Sequence, residues 1–152
     1  MSTTDLHAKL DALYDTWTSL TPTSPPSDFE KFAAFFDENC YAWLFSMREL
    51  AEPSIGRQAV IDGVKEVLKL QRIEERRVVD RFESARGSKV SVEMRNRYNV
   101  VGEDLDTFWE TVTAEFNDKG LITDFKVHCC RSPMVAIIQK VTGEGPYKCH
   151  EL

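Results

Sequence analysis

From Lys89 to Cys130 the chain alternates between two chemically different faces through three successive segments, near Lys89–Asn99, Thr107–Phe116 and Leu121–Cys130. A period of two is the mark of a half-buried strand, because successive side chains leave opposite sides of the backbone. One face collects Val90, Val92, Met94, Asn96 and Tyr98, then Phe108, Glu110, Val112, Ala114 and Phe116, then Leu121, Thr123, Phe125, Val127 and Cys129. The other carries Ser91, Glu93, Arg95 and Arg97, then Trp109, Thr111, Thr113 and Glu115, then Ile122, Asp124, Lys126 and His128. The apolar face needs a cover, and Glu110 stands in its middle.

The cover is supplied upstream. Leu6, Leu10, Leu13, Trp17 and Leu20 recur at helical spacing, which predicts an amphipathic helix over Asp5–Leu20 capped by Thr4. Ser27-Asp28-Phe29-Glu30 has the form of a capping box, opening a second helix with Phe29, Phe32, Ala33 and Phe36 on its apolar side. A strand is expected at Cys40–Met47 with Tyr41, Trp43, Phe45 and Met47 inward, then a third helix capped by Ser54 and buried through Ile55, Ala59, Val60, Val64, Val67 and Leu68. Arg72–Arg77 is expected to be a solvated connector, Val78–Ala85 a strand, Arg86–Ser88 a turn and Val100–Asp106 a polar loop. Asn117–Gly120 is a hairpin turn, and Ser132-Pro133 opens a short apolar helix that ends at Gly143 and is followed by a loosely held tail.

The 152 residues fit one domain over 1–152 with a sizeable core. A net charge of −6, with Glu74 and Glu75 interrupting the arginines around them, argues against nucleic acid or an anionic membrane as partner. The polar N-terminus carries no leader pattern and no apolar run reaches membrane-span length, so a cytoplasmic location is expected. Cys129 and Cys130, adjacent on a strand, point to opposite faces and cannot readily share a metal, so no metal site is expected from them or from Cys149-His150.

The order helix, helix, strand, helix and four antiparallel strands, with Ile55-Gly56-Arg57-Gln58-Ala59-Val60 opening the third helix, resembles the nuclear transport factor 2-like superfamily. The hairpin Phe116-Asn117-Asp118-Lys119-Gly120-Leu121-Ile122 is similar to that superfamily's last strand pair. Within it the chain looks most like the SnoaL-like branch of polyketide cyclases, neighbours of ketosteroid isomerase and scytalone dehydratase. The resemblance implies an α+β fold, a strongly curved antiparallel sheet wrapped as a cone around the N-terminal helices, with a short C-terminal helix and an apolar pocket. It also implies a cofactor-independent isomerase, cyclase or dehydratase acting on a hydrophobic, polyketide-like small molecule, often as a homodimer. The relatives' catalytic residues do not carry over as a set. Tyr14 matches the isomerases' tyrosine, but their two carboxylates fall at Trp43 and near Val112, and the cyclases' polar residues near Phe125 and Val127.

The chemistry therefore falls to Glu110. A carboxylate on an apolar face must either rise in pKa or find partners. In the first case it is suited to moving a proton near neutral pH. In the second it pairs with a buried arginine or a helix end, or lies at a wet rim. Tyr14, Tyr41, Tyr98 and Asn96 are candidates to bond a substrate oxygen, and Tyr14 can equally be a core-edge tyrosine. His128 belongs to the outer face unless a β-bulge reverses it, in which case it becomes a second acid or base. Trp43, Met94 and Phe125 are expected as ligand-stacking walls or as plain core. Trp109 with Arg95 and Arg97 marks the outer face for dimerisation. The rival reading is a non-catalytic binding or dimerisation module of the same fold.

Overall fold

The structure, a computed structural model, describes residues 2–46 and 52–148. Its elements are α1 (Thr3–Ser19), α2 (Pro26–Ala33), β1 (Phe36–Trp43), β2 (Ser54–Ile55), α3 (Arg57–Leu70), β3 (Gln71–Glu75), β4 (Val78–Glu83), β5 (Lys89–Val100), β6 (Glu103–Phe116), β7 (Ile122–Cys129) and α4 (Ser132–Thr142). One curled sheet runs β2-β1-β7-β6-β5-β3, with β4 also paired to β5. The pair β1–β7 is parallel and the remaining pairs are antiparallel, so the sheet is mixed rather than wholly antiparallel.

The long strands keep the expected phase. Val90, Val92, Met94, Val112 and Ala114 are fully buried, and Phe108 and Phe116 nearly so. On β7 the phase holds only from Phe125 onward. A register shift near Glu115/Phe116 gives β7 one extra residue, so Ile122 is buried while Thr123 is only half-buried. The helices fill the concave side: Leu10, Leu13, Phe32, Val60 and Val64 share one core with the strands.

Several local expectations are corrected, each for a physical reason. The capping box belongs to α1, where Ser2 and Asp5 bond each other's backbone amides; α2 instead opens on Pro26, whose missing N–H costs nothing at a helix start. Phe36 begins β1 rather than ending α2, and β1 buries Cys40, Ala42 and, just beyond its end, Leu44, leaving Tyr41 outside. α3 packs closely here: a Cβ added at Gly63 would lie 2.7 Å from Ser54 Oγ and 3.1 Å from Leu44 Cδ1. Met47 lies outside the described residues. Ser54 pairs with Ala42 in β2, and Gly56, at φ 84°, precedes α3 in its place.

Two stretches expected as loops are ordered sheet. The charged run contains β3, because Gln71 and Ile73 turn inward while Arg72 and Glu74 turn out. Val100–Asp106 contains only a two-residue turn, Val101 and Gly102, both at positive φ as a tight hairpin of this kind demands. Its two aspartates face outward and pair with arginines, Asp104 with Arg97 at 2.6 Å and Asp106 with Arg77 at 2.7 Å. The tail folds back on α4: Gln139 donates to the Tyr147 carbonyl at 2.6 Å and accepts from its amide at 2.8 Å.

Candidate active site

Glu110 sits at the centre of β6, opposite Met94 on β5 and Cys129 on β7. It is 5% exposed. Asn96 Nδ2 donates to its Oε1 at 2.7 Å, and the Tyr98 hydroxyl lies 2.7 and 2.9 Å from its two oxygens. Both partners come from β5, two and four residues beyond Met94. A bulge in β6 helps them reach: Asn96 pairs with Phe108 but Tyr98 with Leu105, and the extra residue bends the hairpin end inward. Both donors are neutral. Burial pushes the Glu110 carboxyl up to about 7, and the hydrogen bonds from Tyr98 and Asn96 and the more distant charge of Arg76 offset only part of that.

Arg76, half-buried, is the arginine whose charge reaches Glu110, but the hydrogen bonds it makes go to other groups and its Nη2 has no partner. Its Nη1 donates to Asp11 at 2.7 Å, its Nε to the Met94 sulfur at 3.2 Å, and its guanidinium covers the Tyr14 ring at 4.5 Å. Burial opposes the ionised form of Asp11, but the hydrogen bonds from Arg76 and Arg81 win and hold it below the usual carboxylate range. This dyad was not legible in the sequence, since Asp11 and Arg76 stand far apart in the chain.

Tyr14 is 1% exposed, stacked on Trp17 at 5.5 Å between ring centres, and its hydroxyl has no hydrogen-bond partner. Burial and, secondarily, the Glu110 carboxyl push its pKa well above 10, so it stays a neutral donor. Gln71 is the site residue that sequence reasoning missed: its side chain is buried and its amide oxygen is unpartnered. An amide opening a charged run gave no signal of its own. Tyr14, Gln71, Tyr98 and Glu110 border one chamber, closed by Leu44 and Phe45 among others. A water centre has about 10 Å³ to move in there, which is room for one water.

The structure brings Glu110, Asn96, Tyr98 and Tyr14 together and sends the other candidates elsewhere. His128 is exposed on the outer face, its Nε2 3.3 Å from Thr113 Oγ1; the β7 irregularity lies before Phe125 and leaves its direction unchanged. Tyr41 is 47% exposed and also outside. Trp43 is half-buried under Lys126, at the edge of a separate groove. Met94 and Phe125 are core: the first lies beneath Arg76, and the second packs within 5.7 Å of Phe36 and 6.5 Å of Tyr14 between ring centres. Among the described residues, no group of three or more histidine, cysteine or acidic side chains is arranged to hold a metal. Cys149 and His150 lie outside them.

No family model matches the chain, and no curated protein matches it. Solved structures do. A proposed polyketide cyclase from Xanthomonas campestris superposes with a TM-score of 0.63 at 15% identity, covering 86% of this chain and 94% of its own. A nuclear transport factor 2-like protein from Anabaena variabilis gives 0.61 at 14% identity, covering 81% and 87%. A Catenulispora acidiphila protein of ketosteroid isomerase-like fold, solved with trimethylamine, gives 0.65 at 11% identity, covering 84% and 89%. At these identities the likeness is one of architecture: the chain has the nuclear transport factor 2-like fold, in the form shared by cyclase-like and ketosteroid isomerase-like proteins.

Proposed function

We propose that this protein is an acid–base enzyme that moves a proton next to a carbonyl in an apolar, polyketide-like small molecule, with Glu110 as the proton carrier. The observation that carries this reading is a carboxyl that burial raises to about 7, held by two neutral donors and facing a chamber, with no cation hydrogen-bonded to it among the described residues. A glutamate tuned to about 6–7 is half-ionised at working pH and serves equally as acceptor and donor. Tyr14, neutral and unpartnered, would donate to the enolate oxygen that develops as the proton leaves. Asn96 and Tyr98 hold Glu110 in position. Isomerisation, cyclisation and dehydration all pass through such a step, and none requires a cofactor. The fold neighbours that are named as cyclase-like or isomerase-like support this class of chemistry. The pairing of two copies through the outer face around Trp109 belongs to the same reading.

A bicyclic ketone such as 2-tetralone tests it without knowledge of the natural substrate. In D2O the protein should accelerate exchange of the protons α to the carbonyl, and Glu110→Gln should reduce that rate by about 100-fold or more. Equal exchange by the variant and the wild type would overturn the assignment of Glu110.

A further inference from the structure

The edge of the sheet is interrupted opposite Asn96. β3 ends at Glu75, paired with Arg97, and β4 begins at Val78, paired with Met94, so neither strand pairs with Asn96 on β5. The two residues of the break are Arg76 and Arg77. Arg77 is held to β5 through its backbone: its carbonyl accepts from the Arg95 amide at 2.9 Å, and its own N–H donates to Asn96 Oδ1 at 3.0 Å. Its side chain goes elsewhere, to Asp106 at 2.7 Å and Glu75 at 2.9 Å. A backbone amide can only donate, so the atom of Asn96 that faces it is the oxygen. The amino group of Asn96 is thereby turned to Glu110 Oε1 at 2.7 Å and to the Met94 sulfur at 3.7 Å, both of them acceptors. Oε1 therefore faces amino hydrogens, which cannot accept a proton, whereas Oε2 has the Tyr98 oxygen at 2.9 Å, which can.

We propose that Asn96 is a positioning residue that confines the proton of Glu110 to Oε2, and that the Arg77 amide, left over by the break between β3 and β4, locks Asn96 in the orientation that does so. Without the lock the Asn96 amide is free to turn over and present its oxygen to Glu110, which favours the neutral carboxyl. With the lock Asn96 bonds the carboxylate, and Oε2 is the atom that takes a proton from a substrate and returns it. The same break sends the Arg76 guanidinium over the Tyr14 ring, so one interruption of an edge strand arranges both the carboxyl and the hydroxyl of the site. The titratable and charged groups around Glu110 are Tyr98 on β5, Cys129 on β7, Tyr14 on α1 and Arg76 in the break. The role of Oε2 as the working atom rests on the acid–base reading; the lock does not.

The lock is read directly in wild-type protein as a through-hydrogen-bond NMR coupling from the Arg77 amide nitrogen to Asn96 Cγ, and its absence would overturn the proposal. The consequence is read in protein labelled at the glutamate carboxyl carbons, where the Glu110 resonance is the one lost in Glu110→Gln. In wild type it should titrate at about 7. Arg77→Pro deletes the N–H and should raise that midpoint by about one pH unit or more. Arg77→Ala keeps the N–H and should leave the midpoint where it is. Asn96→Asp should raise it at least as far as Arg77→Pro, since two carboxyls in contact share one proton. Circular dichroism establishes that each variant is folded. Wild-type midpoints in folded Arg77→Pro and Asn96→Asp would overturn the proposal, and so would a shift in Arg77→Ala equal to that in Arg77→Pro. The pH profile of 2-tetralone exchange should move with the carbon resonance. If the midpoints move as described and 2-tetralone exchanges no protons, the acid–base reading fails alone. If exchange depends on Glu110 and the midpoints stay in place, the lock fails alone.

Discussion

At the scale of single residues, burial sets the properties of Glu110. A carboxyl taken out of water loses hydration that two neutral hydrogen bonds do not fully replace, so its proton is held up to about pH 7 instead of the ordinary 4.5. Holding that proton has a stability cost with a definite sign. As pH rises past 4.5 the unfolded chain releases the Glu110 proton, whereas the folded protein keeps it until about 7. Folding stability therefore falls across that window, by on the order of 3 kcal/mol, and the loss is complete above it. Glu110→Gln keeps an acceptor for Asn96 and Tyr98 but carries no charge. It should raise the thermal midpoint by several degrees at pH 8 and leave it within about a degree at pH 4, read by calorimetry. A midpoint equal to wild type at pH 8 would mean that Glu110 is not destabilised by its burial. A residue that destabilises the fold at working pH is the signature of a site kept for chemistry rather than for packing.

At the scale of elements, the β5–β6 hairpin aims the site, and its turn shows how little chain is needed to do so. Val101 and Gly102 reverse the direction at φ 45° and 91°. A Cβ at Gly102 would meet nothing within 4 Å, so Gly102→Ala isolates the backbone term from any clash. It should cost about 1 kcal/mol in urea unfolding, with an unchanged denaturant slope. No loss would mean that the turn relaxes to a longer loop, the form expected from the acidic residues that follow it. Those residues misled because composition reports solvent exposure, and both a loop and the outer face of a strand are exposed. The same ambiguity hid β3 inside a charged run. It also reversed the phase of β1, where the large aromatics imply an inward face but Cys40, Ala42 and Leu44 are the buried residues.

At the scale of the whole molecule, the curled sheet has two chemically unlike surfaces. The concave side holds the core and the chamber. The convex side presents Trp109, 55% exposed with Arg95 5.2 Å from its ring, and His128 beside Thr113. Wild-type protein should sediment as a dimer at micromolar concentration, and Trp109→Glu as a folded monomer; a monomeric wild type would remove the convex face as an interface. The sequence by itself determined the alternating strands, the helices that cover them, the isolation of Glu110 on an apolar face and the general architecture. These are legible because solvent exposure has a period, and a period is written along the chain. Only the tertiary structure decided that Arg76 bonds Asp11 rather than Glu110, that Gln71 and Tyr14 face one chamber with the carboxyl, and that Leu44 and Phe45 part this chamber from a larger groove. Each of these is a contact between residues remote in sequence. Its partner is chosen by distance and packing in three dimensions, which no local pattern of residue types records.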